Sequence, residues 1–449
     1  MIQSSNLRFV KGRVTMPFTK ILRLGLIHVA VAITLVPING TLNRIMIGEL
    51  GLTATLVAVL VSLPYLFSPL QVWIGGYSDR HPLWGYRRTP YIALGLLLCV
   101  GGATLAPTAA FLLHDNFGNG LLVALLAFGA WGMGFNFATV SYLSLATDLA
   151  GEEHRARTVG IMWFILIVSV IVAGISIGRA LQPYSPAALY RAFYITCGIA
   201  LALGLGGLIG LERRGATALI GERRSFPAVL RTLGGNRQAR LFFIYLVLLL
   251  IALLGQDLLL EPFAADVFGV PVRQTTEYTS IWGTALLVAL LITSPLTRRI
   301  GKPGAALVGG LFAGAGLLVI ALSGILHLKL IFIPALVIFG FGSGISTAAN
   351  LALMLDMTMA GQVGVFLGAW GMADALARLI GTLLSGIVRD SVNALTKTVA
   401  SGYVTVFLIE ALALALSLVL LRRISVARFR TDATTVSELA ALIGDAQSG

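Results

Sequence analysis

Residues 24–47 read LGLIHVAVAITLVPINGTLNRIMI, an apolar run with a single full charge, Arg44, and a single histidine, His28. As a helix rising 1.5 Å per residue it would span roughly 36 Å, enough to cross a hydrocarbon core of about 30 Å. The rest of the chain repeats this texture. Of its 449 residues, 57% are hydrophobic and 11% charged, whereas soluble domains carry about a quarter charged residues. That composition excludes a soluble enzyme and leaves a polytopic helical membrane protein of about a dozen spans.

Further runs of membrane length fall near 53–76, 90–112, 120–147, 157–180 and 189–210. After a polar stretch from Glu212 to Arg240, others follow near 241–263, 277–297, 304–326, 330–355, 362–388 and 402–421. The expected organisation is a six-helix half over 1–211, a basic linker over 212–240, a second six-helix half over 241–422 and a tail over 423–449. With both termini placed in the cytoplasm, 24 of the 32 Lys and Arg fall in inner segments and six in outer ones. The positive-inside rule therefore predicts cytoplasmic termini. Arg213, Arg214, Arg223, Arg224, Arg231, Arg237 and Arg240 make the linker a topogenic loop or a segment lying on anionic headgroups. The net charge of +13 thus reflects topology and lipid, with no nucleic-acid partner expected. Arg8, Lys11 and Arg13 precede no cleavable signal pattern, so the first span is expected to direct insertion. Cys99 and Cys197 sit in apolar runs and suggest neither a disulfide nor a metal site.

An internal repeat supports the two halves. Moving the fourth span along by 208 positions places Gly132 on Gly340, Gly134 on Gly342, Thr139 on Thr347, Leu143 on Leu351 and Asp148 on Asp356. Parallel six-helix repeats are the arrangement of the major facilitator superfamily. Gly75, Asp79, Arg80, Gly85, Arg87 and Arg88, after the second span, resemble that superfamily's loop motif, with a longer spacer from His81 to Trp84. Asp79 would pair with a basic group or helix N-terminus across this face while Arg87 and Arg88 hold anionic lipid. A plain positive-inside loop is the alternative.

Ionisable groups inside a bilayer need partners or a cavity. Asn39, Asn43 and Arg44 share the first span, and Gln256, Asp257 and Glu261 the seventh. Arg44 and Glu261 fall at matching depth, so an ion pair of Arg44 with Glu261 or Asp257 is expected to lock the halves together, with gating or ligand contact as the alternative. Asp374 and Arg378, four apart, read as an intrahelical pair. His28, the only histidine within a span, is either a hydrogen-bonded core residue or an axial ligand for a metallated tetrapyrrole. Asn136 and Asn350 could ligate magnesium or bridge helices.

Three strings then carry a family resemblance. GTLNRIMIGELG (40–51) resembles the first-helix signature of the PucC/LhaA family, the bacteriochlorophyll or chlorophyll delivery branch of the major facilitator superfamily. GYRRTPYI (85–92) resembles its loop into the third helix, and GQDLLLEPF (255–263) its seventh-helix signature. Ala146 to Ala150, with Arg155 and Arg157, fits its loop after the fourth helix. The resemblance implies handling of chlorophyll-type pigment as photosynthetic complexes assemble, in a bacterial photosynthetic membrane, intracytoplasmic or thylakoid, or in the inner membrane. It implies chlorophyll or bacteriochlorophyll as a bound or transient cofactor, with no metal beyond the pigment magnesium. Its implied partners are light-harvesting apoproteins or photosystem and reaction-centre subunits, together with pigment synthase and the insertion machinery.

A phytylated tetrapyrrole is membrane-soluble, so shielding and hand-over need an apolar groove and an axial donor rather than an aqueous pore. Trp73, Trp131, Trp163, Trp282 and Trp370 could pack a macrocycle or simply face lipid and core. A proton-coupled secondary transporter built on Arg44, Asp257 and Glu261 is the competing reading. An enzyme is not expected, because a membrane prenyltransferase needs paired Asp-rich motifs for magnesium diphosphate, and these are not found.

Overall fold

The computed structural model describes residues 17–215, 237–357 and 363–429, and these are helical almost throughout. Arg8, Lys11, Arg13, the linker arginines Arg223, Arg224 and Arg231 and the tail beyond 429 lie outside the described residues, as do the side chains of Arg155 and Arg157. Ten of the described helices are long and apolar enough to cross a membrane. One of these, Val272–Leu326, contains the eighth and ninth expected spans joined across Gly301, where φ 75 and ψ 165 break the helix. The second expected span is present in three pieces, Ala54–Val61, Leu63–Leu66 and Leu70–Arg80, because Pro64 and Pro69 each remove an N–H from the helical ladder.

In chain order the spans are α1 (Phe18–Glu49), α2 (54–80), α3 (Thr89–Asp115), α4 (Phe117–Ala150), α5 (Gly160–Ala180), α6 (Pro186–Leu208) and α7 (Arg237–Leu258, continuing as Leu260–Phe268). They continue as α8 (272–300), α9 (302–326), α10 (Lys329–Asp356), α11 (Trp370–Thr396) and α12 (Val399–Leu421). The protein is an integral membrane protein of the major facilitator fold.

The repeat is realised in packing. A Cβ on Gly95 or Gly102 of α3 would stand 2.3 Å from the backbone nitrogen of Ala138 or Trp131 in α4. On Gly309 or Gly316 of α9 it would stand 2.4 or 2.6 Å from that of Ser346 or Phe339 in α10. Ala138 with Ser346, and Trp131 with Phe339, are related by the same 208-position shift. Only a residue without a side chain lets two backbones come this close, which is the usual solution where lipid gives helices no hydrophobic drive to associate.

The ends of the molecule differ. The end where α2 meets α3 and α4 meets α5 carries the basic loops and is called the basic end here. Toward the opposite end the two halves are knit by hydrogen bonds between Thr41 and Thr276 (3.1 Å), from Ser280 Oγ to Ile171 O (3.0 Å), and from Arg273 to Gln182. At the basic end the ion pairs among the described residues stay within each half: Arg87 with Asp148 and Lys302 with Asp356, both at 2.6 Å.

Candidate functional site

Two broken helices face each other at the centre. Past Pro37, α1 widens into π turns over Pro37–Leu42 and Ile45–Glu49. Facing it, α7 tightens into a 3-10 turn over Gly255–Leu258. Pro262 has no N–H, so the carbonyl four residues earlier lacks its helical donor. Asn43 Nδ2 supplies one, at 2.5 Å from Leu258 O. Gly40 makes room for the opposing helix, since a Cβ there would lie 2.5 Å from Glu261 Oε1.

The structure corrects the expected Arg44 pairing. Arg44, 5% exposed, bonds through Nη1 to Glu49 Oε1 at 2.9 Å and through Nη2 to Val270 O at 3.2 Å. The π turn explains the choice, because its wider coil brings a residue five positions on beneath the guanidinium. Glu261 instead accepts from Thr279 Oγ1 at 2.7 Å, and its Oε2 has no protein partner. Asp257 goes to the other predicted pair. Arg378 Nε lies 3.1 Å from Asp374 Oδ2, and its Nη1 lies 3.5 Å from Asp257 Oδ2. The intrahelical pair is therefore part of a triad that joins α7 to α11, with Gln256 Nε2 donating to Asp257 Oδ1 at 2.5 Å and Tyr65 beneath the guanidinium at 5.6 Å. Asn39, Asn43, Tyr65, Asp257, Arg378 and Thr382 line a cavity of about 20 Å³, room for about one water. Asn39 Oδ1 and Asn43 Oδ1 are buried acceptors without a protein donor.

None of the three ligand candidates read from the sequence presents a donor to an open face. His28, 5% exposed, is packed by Tyr142 at 5.1 Å and Trp163 at 5.4 Å. Asn136 bridges helices: its Nδ2 donates to Pro64 O (2.8 Å) and Gly132 O (2.7 Å), while Oδ1 accepts from Gln71 Nε2 (2.5 Å). Asn350 accepts from Tyr245 Oη at 2.7 Å and donates to Ser346 O at 2.8 Å.

At the basic end Arg87 and Arg88 are engaged by protein rather than free for lipid. Arg88 Nη2 reaches Asp79 Oδ1 at 2.6 Å and its Nη1 reaches Ser78 Oγ at 2.6 Å; Arg87 Nη2 reaches Asp148 Oδ2 at 2.6 Å. Burial lowers the Arg88 guanidinium from its ordinary value, opposed by Asp79 and Asp148. The free N–H groups opening α3 are capped by Glu212, which accepts from the backbone of Arg87 (2.8 Å) and Thr89 (2.7 Å). Arg80 stays exposed, bonded to Gly76 O at 2.9 Å. The long spacer is a tight hairpin: Leu83 and Tyr86 exchange both backbone hydrogen bonds at 2.9 Å around Trp84 (φ 53) and Gly85 (φ 79), the paired positive φ values of a type I′ turn.

Sequence reading missed two acids, Asp390 and Glu410, and misplaced a base, Arg389. Asp390 of α11 caps the start of α2, accepting from Ala54 N (3.2 Å), Thr55 N and Thr55 Oγ1 (both 2.7 Å). Arg389, one of the six basic residues counted as outer and placed just past the expected span 362–388, lies within α11, bonded to Asp390 (2.9 Å) and Asp266 (3.3 Å). Glu410, 3% exposed in α12, meets Ser385 Oγ at 3.3 Å. An acid in the middle of the apolar run 402–421 was the available signal for Glu410; a surface-like Arg-Asp pair gave none for Asp390.

The profile of a family described as PUCC protein matches residues 41–429. Protein PucC of Rhodobacter capsulatus is 31% identical over 436 residues, covering 91% of this chain and 93% of that protein. A bacteriochlorophyll synthase 44.5 kDa chain of the same species is 29% identical over 391 residues, covering 84% of this chain and 88% of that one. Among solved structures, a bacterial homologue of the human lysosomal transporter Spinster, in an inward-facing and unoccupied conformation, superposes with a TM-score of 0.71 at 14% identity, covering 93% of this chain and 99% of that one.

Proposed function

The chain belongs to the PUCC protein family, and from that premise we propose that it is a membrane assembly factor that binds bacteriochlorophyll or chlorophyll and delivers it during biogenesis of photosynthetic complexes. The observation that carries this reading is the similarity, over 84% of this chain, to a chain named for bacteriochlorophyll synthase. Family membership fits a role in assembling pigment complexes; delivery is the finer step. The packing agrees with it, since the cavity between the central polar groups is about 20 Å³, far below the several hundred Å³ of a ligand pocket. A lipid-soluble pigment would be carried against the membrane-facing surface.

On this reading the protein works without chemical turnover, in a photosynthetic membrane, with its basic end in the cytoplasm where pigment synthase and insertion machinery would meet it. Its clients are light-harvesting apoproteins or reaction-centre and photosystem subunits. The test is a host lacking the chain. Mature pigment complexes should fall while bacteriochlorophyll synthase activity in extracts persists. Unchanged complexes would overturn the reading.

A proton-coupled transporter is the second reading, favoured by the Asp257, Arg378 and Asp374 triad at the junction of the halves. Proton-driven uptake of a water-soluble solute into proteoliposomes would establish it in place of delivery.

A further inference from the structure

The basic end of α2 carries three aromatic rings on one face. Trp73 and Tyr77 stack with centroids 5.2 Å apart and planes at 24°, and Tyr77 and His81 stack at 4.2 Å and 18°. The ladder is open to its surroundings: Trp73 is 60% exposed, Tyr77 38%, and His81 is exposed. It is also held firmly from behind. Tyr91 of α3 meets Tyr77 edge-on at 6.3 Å and donates its hydroxyl to His81 O at 2.7 Å.

His81 Nδ1 lies 3.1 Å from Tyr77 O. A carbonyl can only accept, so Nδ1 carries the proton, and in the neutral ring Nε2 holds the lone pair on the opposite side, away from the helix. An imidazole whose other nitrogen donates to a backbone carbonyl is the arrangement that prepares histidine to ligate a metal. The three ring centroids span roughly 9 Å at most, within the face of a tetrapyrrole macrocycle. An axial imidazole stands perpendicular to the macrocycle it ligates. A macrocycle on Nε2 would therefore lie along the helix and meet the edges of the parallel Tyr77 and Trp73 rings, the orientation in which positive ring edges face a π surface.

We infer that Trp73, Tyr77 and His81 form an external binding site for a magnesium tetrapyrrole, with His81 Nε2 as the axial ligand and the two rings supporting the macrocycle face. Its place at the end of a membrane span would leave the metal near headgroup level and a hydrocarbon tail in the acyl region. Resting on the pigment reading above, the inference supplies the donor that His28, Asn136 and Asn350 do not present.

The test uses the purified full chain in lipid nanodiscs, titrated with bacteriochlorophyll a and with magnesium-free bacteriopheophytin a, and read by absorbance that co-elutes with protein. Wild type should bind the magnesium pigment about tenfold more tightly than the metal-free one. His81→Phe, which keeps a stackable ring but removes the donor, should abolish that preference, and His81→Gly should regain it when free imidazole is added. Trp73→Leu should weaken both pigments alike. His114 is the internal control. Its Nδ1 likewise lies 3.0 Å from a carbonyl, that of Leu50, and no ring stacks on it among the described residues, so His114→Phe should bind as wild type does. If His81→Phe keeps the magnesium preference while wild type binds pigment, the ligand lies elsewhere and the inference falls with the pigment reading intact. If wild type binds neither pigment, both fall.

Discussion

Asp148 and Asp356 stand at the same place in the two halves, each ending the fourth helix of its repeat on a basic side chain. Arg87 meets the first and Lys302 the second, both at 2.6 Å. The two pairs differ in what surrounds them. Lys302 and Asp356 are each more than a third exposed, whereas Arg87 and the adjoining Arg88 are largely buried and share Asp79.

That difference sets a first expectation. Lys302→Ala breaks a solvated pair and should cost below about 1 kcal/mol. Arg88→Ala leaves Asp79 without its nearest cation and Ser78 without its donor, and should cost about 3 kcal/mol. Denaturant unfolding in mixed micelles measures both; equal costs would contradict the distinction.

Asp390 closes α2 onto α11 through three bonds to Ala54 and Thr55. Asp390→Ala removes the acceptor that caps the first two N–H groups of α2 and should destabilise by about 1–2 kcal/mol, while Asp390→Asn retains an acceptor and should lose less. Because this contact joins the halves, labelling of a cysteine introduced at Thr55 should also speed up in the alanine variant.

Arg44 should couple energetically to Glu49 rather than to Glu261. In double-mutant cycles, Arg44→Ala with Glu49→Ala should give a coupling larger by about 1 kcal/mol than Arg44→Ala with Glu261→Ala. The reverse order would restore the pairing expected from depth alone.

Asn43 should matter because of Pro262. Asn43→Ala strands the buried Leu258 carbonyl and should cost about 1–3 kcal/mol. In a Pro262→Ala background residue 262 regains an N–H, the carbonyl can be satisfied within the helix, and the cost of Asn43→Ala should fall toward zero. Undiminished cost would show that Asn43 acts otherwise.

Much of the fold was legible before any coordinates, because its cause is local. A stretch such as 24–47 must form a helix in lipid, where every backbone N–H and C=O has to be satisfied within its own segment. Proline is only a partial guide to where ladders fail: Pro37, Pro64 and Pro262 each coincide with a widened, interrupted or tightened turn, whereas Pro107 and Pro334 lie inside continuous helices. The repeat that marks the two halves includes Gly134 and Gly342, and at these positions α4 lies against α3 and α10 against α9, since only small residues permit such an approach.

The partners of the polar side chains were decided by tertiary structure alone. Arg44 and Glu261 match in depth, yet a helix turns about 100° per residue, so depth without rotation leaves a pairing open, and the π turns of α1 rotate Arg44 onto Glu49. Arg378 gained Asp257 as well as Asp374 because Gly255 and Gly381 let α7 and α11 approach closely, a Cβ on Gly381 lying 3.0 Å from Gly255 Cα. Asp390 caps a helix that begins more than three hundred positions earlier. Local sequence therefore determined which segments cross the membrane, while the rotation and docking of separate helices determined which charge meets which, because no periodicity within one helix encodes the orientation of another.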